Sequence, residues 1–178
     1  MIEILHGLVI FAKNEYIQES LVKQMKTHSF KKEYIAVLEG IVEPEKGTID
    51  APIARKESSI IERCIDPNGD VSITHYEVLK YIKHNLSLRI ENARDKKKAN
   101  NISIVKFILE TGRTHQIRIH SKYIGYPIVG DTLYGSESNL ISRQALHSYK
   151  INFIHPVIKE PKEYIAPIPE DMKFIQAF

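Results

Sequence analysis

Tryptophan is absent from this 178-residue chain, and cysteine occurs once, as Cys64. A lone thiol closes no intrachain disulfide and builds no multi-cysteine metal site, so the chain suits a reducing compartment and a cytoplasmic location is expected. No stretch approaches the roughly 20 apolar residues of a membrane-spanning helix, so no membrane partner is expected. Met1 to Lys13 holds an apolar run without a basic leader or a small-residue cleavage site, and it reads as folded protein. One-sided charge is also scarce. The 25 Lys and Arg against 22 Asp and Glu leave a formal +3, which permits an anionic partner such as RNA without demanding one.

What is present is ordinary globular material. Hydrophobic residues make up 43% of the chain and charged residues 26%, fractions that argue against wholesale disorder. The length is that of one domain, and no linker divides residues 1–178.

Leu8 to Ala12 is a short apolar run that predicts a buried strand. Asn14 is placed to cap a helix over Glu15 to His28, whose apolar stripe is Ile17, Leu21 and Met25. Glu33 to Glu39 predicts a strand stopped by Gly40. Thr48 to Ile53 predicts a short edge strand, limited by Pro52. Ser58 to Cys64 and Ser72 to Leu79 predict two more, joined by the turn Asp66-Pro67-Asn68-Gly69. Leu86 to Ile90 and Ile102 to Leu109 read as an antiparallel pair across the polar segment Glu91 to Asn101. A helix over Thr114 to Tyr123 and a strand over Ala145 to Phe153 follow, before a proline-punctuated tail. Strands dominate and helices are few, so the class is α+β.

Chemistry-bearing residues are densest between Thr111 and Gly135, TGRTHQIRIHSKYIGYPIVGDTLYG. With Thr114 to Tyr123 helical, Arg118 projects near the helix start, where an anion is favoured. Gly112 permits a tight strand-to-helix turn and Gly125 ends the helix. Spacing alone goes no further than an anion-binding turn, functional or structural.

The same residues carry a resemblance. GRTHQIRIH (Gly112 to His120) and GYPIVGDTLYG (Gly125 to Gly135) resemble the signature of the RluA-type pseudouridine synthases, approximately GRxHQ(I/L)RxH followed by GxPIxGDxxYG. KEYIAVLEG (Lys32 to Gly40), RQALHSYKINFIHP (Arg143 to Pro156) and APIPED (Ala166 to Asp171) are similar to three further segments of that family. The resemblance implies the pseudouridine synthase fold, a mixed and mainly antiparallel sheet with a few helices. It implies isomerisation of uridine to pseudouridine in structural RNA, ribosomal RNA foremost, with no cofactor and no metal. The target base has to leave its stack to be reached. The family uses a catalytic aspartate, a basic residue paired with it and a tyrosine that packs on the flipped base. Tyr34 and Arg118 match the last two and are the implied catalytic residues. Arg113, His115, Gln116 and Ile117 are the implied substrate-binding residues, with Ile117 under the uracil.

The aspartate belongs to a family motif close to HRLDxxTSGLxxFAK. Its end stands here as GLVIFAK, Gly7 to Lys13, and counting back puts the aspartate's position on Ile2. His6 and Leu5 take the Ser and Thr positions. The sequence therefore leads one to expect a fold lacking its N-terminal strands and its acid, either an enzyme with a substitute such as Glu3 or a non-catalytic RNA-binding protein. A sheet without its first strands exposes an edge, so self-association is also expected.

Competing readings of other residues are plainer. His115 and His120 are five apart, not the i, i+4 spacing of a helical zinc pair, and no HExxH occurs, so no metal site is expected. Asp131 reads as a loop brace rather than a replacement acid. RDKKK (Arg94 to Lys98) reads as a solvated hairpin tip.

Overall fold

The computed structural model describes residues 5–83 and 101–175. The expected strand at Leu86 to Ile90, the basic run Arg94 to Lys98, and Ile2 and Glu3 lie outside the described residues.

The described strands are β1 (His6–Gly7), β2 (Lys31–Glu39), β3 (Lys46–Asp50), β4 (Ile53–Arg55), β5 (Arg63–Ile65), β6 (Ile73–Lys83), β7 (Asn101–Leu109), β8 (Leu146–Ile154) and β9 (Pro161–Ile165). The helices are α1 (Glu15–Lys26) and α2 (Gln116–Tyr123), with a 3-10 turn over Glu170–Ile175 near the end. Seven strands form one sheet in the order β1-β8-β2-β7-β6-β3, and β9 also pairs with β8. Every pairing is antiparallel except β1 with β8. β4 and β5 make a separate two-stranded ribbon. The class is α+β with a mixed sheet and few helices, as the sequence indicates.

Ile35, Ala36, Val37 and Leu38 are buried in succession along β2, and Ile102 to Val105 along β7. A strand buried on both faces loses the alternating pattern, so these two form the middle of the sheet. Around them Leu38, Val42, Val105, Phe107, Ile128 and Met172 form the tightest part of the core. α1 begins where expected, with the Asn14 side chain accepting from the Ile17 amide at 3.0 Å. Its Leu21 packs with Phe30, Ile151 and Phe153, flanked by Ile17 and Met25.

Three expectations need correction. Leu8 to Ala12 is not a strand. The two-residue β1 precedes it, and Gly7 turns the chain out at φ +113°. A side chain at Gly7 would lie 2.3 Å from the Ser148 carbonyl oxygen, so only glycine passes this close to β8. Thr48 to Ile53 is divided at Ala51-Pro52 into β3 and β4, because proline cannot continue the ladder. Ser58 to Cys64 yields only the short β5. The Ser59 hydroxyl accepts from the Ile61 and Glu62 amides and holds that segment in a turn. The tail adds β9, which no sequence signal announced.

Candidate active site

β7 ends at Leu109, and the chain turns through Glu110 to His115 into α2. Helix α2 starts at Gln116, two residues later than its pattern predicts. His115 is the reason: its φ of +58° is left-handed and cannot lie inside the helix. Such a conformation in a non-glycine residue costs on the order of 1 kcal/mol or more, so surrounding contacts must hold it. One is the Tyr134 hydroxyl, 2.9 Å from His115 Nδ1. That hydroxyl also accepts from the Arg63 amide at 2.9 Å, which ties ribbon β4–β5 to the helix start.

Gln116 locks the turn from inside. Its Oε1 accepts from the Arg113 amide and the Thr111 hydroxyl, both at 2.9 Å. Its Nε2 donates to the Ile73 carbonyl at 3.1 Å and to Thr74 Oγ1 at 2.9 Å. Both donors and both acceptor positions of the amide are thus engaged. Thr74 Oγ1 lies 2.8 Å from His120 Nδ1, and His120 Nε2 lies 2.9 Å from the Ala51 carbonyl. A carbonyl only accepts, so Nε2 carries the proton and Nδ1 accepts from Thr74. Burial pushes the His120 pKa down, in keeping with a neutral ring.

Arg118 sits on the buried side of α2, 5% exposed. Its Nε and Nη2 donate to the two carboxylate oxygens of Asp131 at 2.8 and 2.7 Å. Asp131 is 1% exposed, and its Oδ1 also accepts from the Leu133 and Tyr134 amides at 3.1 Å. The acid therefore braces its loop, as expected, and holds Arg118 as well. The guanidinium carbon stands 4.9 Å from the Tyr134 ring centre.

Across from α2, Tyr34 projects from β2. Burial raises its hydroxyl pKa, opposed by a hydrogen bond with Ser148. Leu5, Tyr34, Leu109, Arg113, His115, Gln116, Ile117, Arg118, Gln144 and Leu146 line one cleft of about 180 Å³. All six residues singled out from the sequence meet in it. Leu109, Ile117 and Leu146 supply an apolar floor, Tyr34 an aromatic face, and Arg113 and Arg118 positive charge. Four liners were not expected as site residues from the sequence: Leu5, Leu109, Gln144 and Leu146. Gln144 and Leu146 lie within RQALH, so a signal for them existed. Leu109 is an apolar residue at a strand end with nothing local to mark it, whereas Leu5 takes the Thr position of the aspartate motif and was not read as a cleft residue. Arg143, which opens RQALH, forks onto Asp171 of APIPED with two bonds of 2.8 Å, joining two of the recognised segments.

Known proteins resemble the chain along most of its length. The family described as RNA pseudouridylate synthase matches residues 6–123. A Bacillus subtilis (strain 168) protein named as an RNA pseudouridine synthase, YjbO, is 40% identical over 166 residues, 93% of this chain and 53% of its own length.

This chain belongs to the RluA-type RNA pseudouridylate synthase family.

Ribosomal large subunit pseudouridine synthase D of Vibrio cholerae is 33% identical over 180 residues, 93% of this chain and 50% of that one. Human RNA pseudouridylate synthase domain containing 1 superposes with a TM-score of 0.67 at 27% identity, covering 87% of this chain and 61% of that one. The chain spans about half the length of the curated relatives it matches. Among the described residues no helix is long and apolar enough to cross a membrane, and no cluster of His, Cys, Asp or Glu is arranged to hold a metal ion.

Proposed function

We propose that the cleft between β2 and α2 holds a flipped uridine of an RNA and that the chain, acting as one catalytic domain over 1–178, isomerises it to pseudouridine. The observation that carries this is the meeting of Tyr34 and Arg118 from separate elements over an apolar floor. A single base fits between the Tyr34 ring, stacked on its face, and Ile117. Arg118 is the cation that the family resemblance pairs with the reacting carboxylate; with its Nε–Nη2 edge held by Asp131, it would do so through its remaining N–H groups. Arg113 and His115 stand at the mouth to meet the backbone, and Gln116 acts through the turn it fixes. The name of the Vibrio cholerae relative favours ribosomal RNA as substrate, and the cytoplasm is the corresponding location. Self-association is assigned to β9, which among the described residues pairs only with β8 and leaves Tyr164 and Ile165 half exposed.

One observation favours a second reading, RNA binding without turnover. Among the described residues no carboxylate lines the cleft, and Ile2 takes the motif position of the family aspartate. Tritium release from RNA labelled at uracil C5 separates the two, because the new bond at C5 expels that hydrogen. Release abolished by Arg118→Ala is the expected result. Salt-sensitive RNA binding without release would replace isomerisation by the second reading.

A further inference from the structure

A second groove of about 380 Å³ lies beside the cleft, lined by Ile53, Ala54, Arg55, Arg63, Asp70, Gly112, Arg113 and Thr114. Three arginines from three segments converge on it. Arg55 and Arg63 are direct cross-strand partners in ribbon β4–β5, so their side chains leave the same face. Like charges placed opposite each other are unfavourable, and among the described residues no carboxylate pairs with either. Arg63 Nη1 instead donates to the carbonyls of Ile61 and Glu62. The one acid in the groove, Asp70, is 70% exposed at its side chain and stands 3.9 Å from Arg113 Nη1, too far for a tight pair. The groove is left with a net positive charge.

Arg113 lines both this groove and the nucleotide cleft. A ligand leaving the cleft past Arg113 therefore runs between the ribbon and the Gly112–Thr114 turn. The ribbon is fixed relative to the cleft, since Tyr134 bonds the Arg63 amide on one side and His115 on the other. We infer that Arg55 and Arg63, with Arg113, form a track for the RNA phosphates that flank the flipped uridine. The inference rests on the reading of the cleft as an RNA site. It assigns the ribbon the task of gripping the strand while the cleft holds the base. Phosphate contacts position a nucleic acid without reading its sequence, so the track sets register rather than target choice.

The test is binding of a short uridine-containing RNA hairpin to the 178-residue chain over roughly 50 to 200 mM salt. Arg55→Ala/Arg63→Ala removes two contacts and leaves the Arg63 amide bond to Tyr134 in place. Each lost contact to a single strand lowers the slope of log affinity against log salt by about 0.7, so the double variant loses about 1.4 in slope and about tenfold in affinity near 0.15 M. Arg55→Lys/Arg63→Lys is expected to keep most of the slope, because the charge is kept. Lys162→Ala, on β9 at the far edge of the sheet, is expected to change it little. A folded double-alanine variant with wild-type affinity and slope overturns the track and leaves the cleft reading standing. So does an equal effect from Lys162→Ala. A wild-type chain that does not bind the hairpin at all overturns both.

Discussion

Arg118 and Asp131 face each other as a two-pronged ion pair, 2.7 and 2.8 Å long, with both partners removed from solvent. They lie thirteen positions apart in the chain, and the return of the loop after α2 brings them together. The acid does not line the cleft. It decides where the guanidinium points.

Asp131→Asn is expected to strike both stability and function. Cutting a buried pair leaves an uncompensated charge, at a cost of about 3–5 kcal/mol. Denaturant unfolding should show that loss, and C5 tritium release should fall in the protein that remains folded. A variant with wild-type stability and release would show that Arg118 is positioned by something else.

Stability is expected to fall as the solution is acidified below about pH 6.5. His120 and His147 both have pKa values lowered by burial from 6.5. Above 6.5 the ring is neutral in folded and unfolded chains, so neither histidine makes stability depend on pH. Below it the unfolded chain takes up protons that the folded chain refuses, and the balance shifts to unfolding until the folded pKa values are passed. Glu77 acts later: Lys106 and Lys46 hold its pKa at about 2, so its contribution fades only below about 4.5. Urea midpoints at pH 8, 6.5 and 5.5 check this, and an unchanged midpoint at 5.5 would contradict it.

The free edge at β9 is expected to give a dimer in solution at micromolar concentration. Ile165→Lys places a charge on that edge and should return a monomer, read by light scattering after size exclusion. A monomeric wild-type mass would remove the proposal.

Much of the fold was legible because its signals are local. Asn14 caps α1 and Asp66 holds its turn, with its Oδ1 accepting from the Asn68 amide at 2.8 Å, through contacts within three residues. β2 and β7 carry the apolar runs of a sheet interior. What was not legible depends on distant partners. β9 exists because β8 offers it an edge, and its own sequence, PKEYI, has little strand character beyond Tyr and Ile. The Ser59 turn shortened β5 through a hydroxyl bond that competes with pairing. At the site, sequence resemblance named the residues from Arg113 to Arg118 and Tyr34, but not that Asp131 is what Arg118 grips, nor that Gln116 is saturated within its own turn.

The chain of bonds from Gln116 through Thr74 and His120 to Ala51 has one further consequence. Each link permits only one sense of donation, because it ends on a carbonyl and begins on an amide NH₂. Helix α2 is therefore keyed to β6 by polarity as well as by shape. Were α2 to slide by a single residue, apolar contacts would find new neighbours at modest loss, but Ile117 would replace Gln116 and Ser121 would replace His120 opposite Thr74. The proton sequence would then have no starting donor. A helix that carries Arg118 and Ile117 into the cleft is held in phase by the orientation of a few hydrogens.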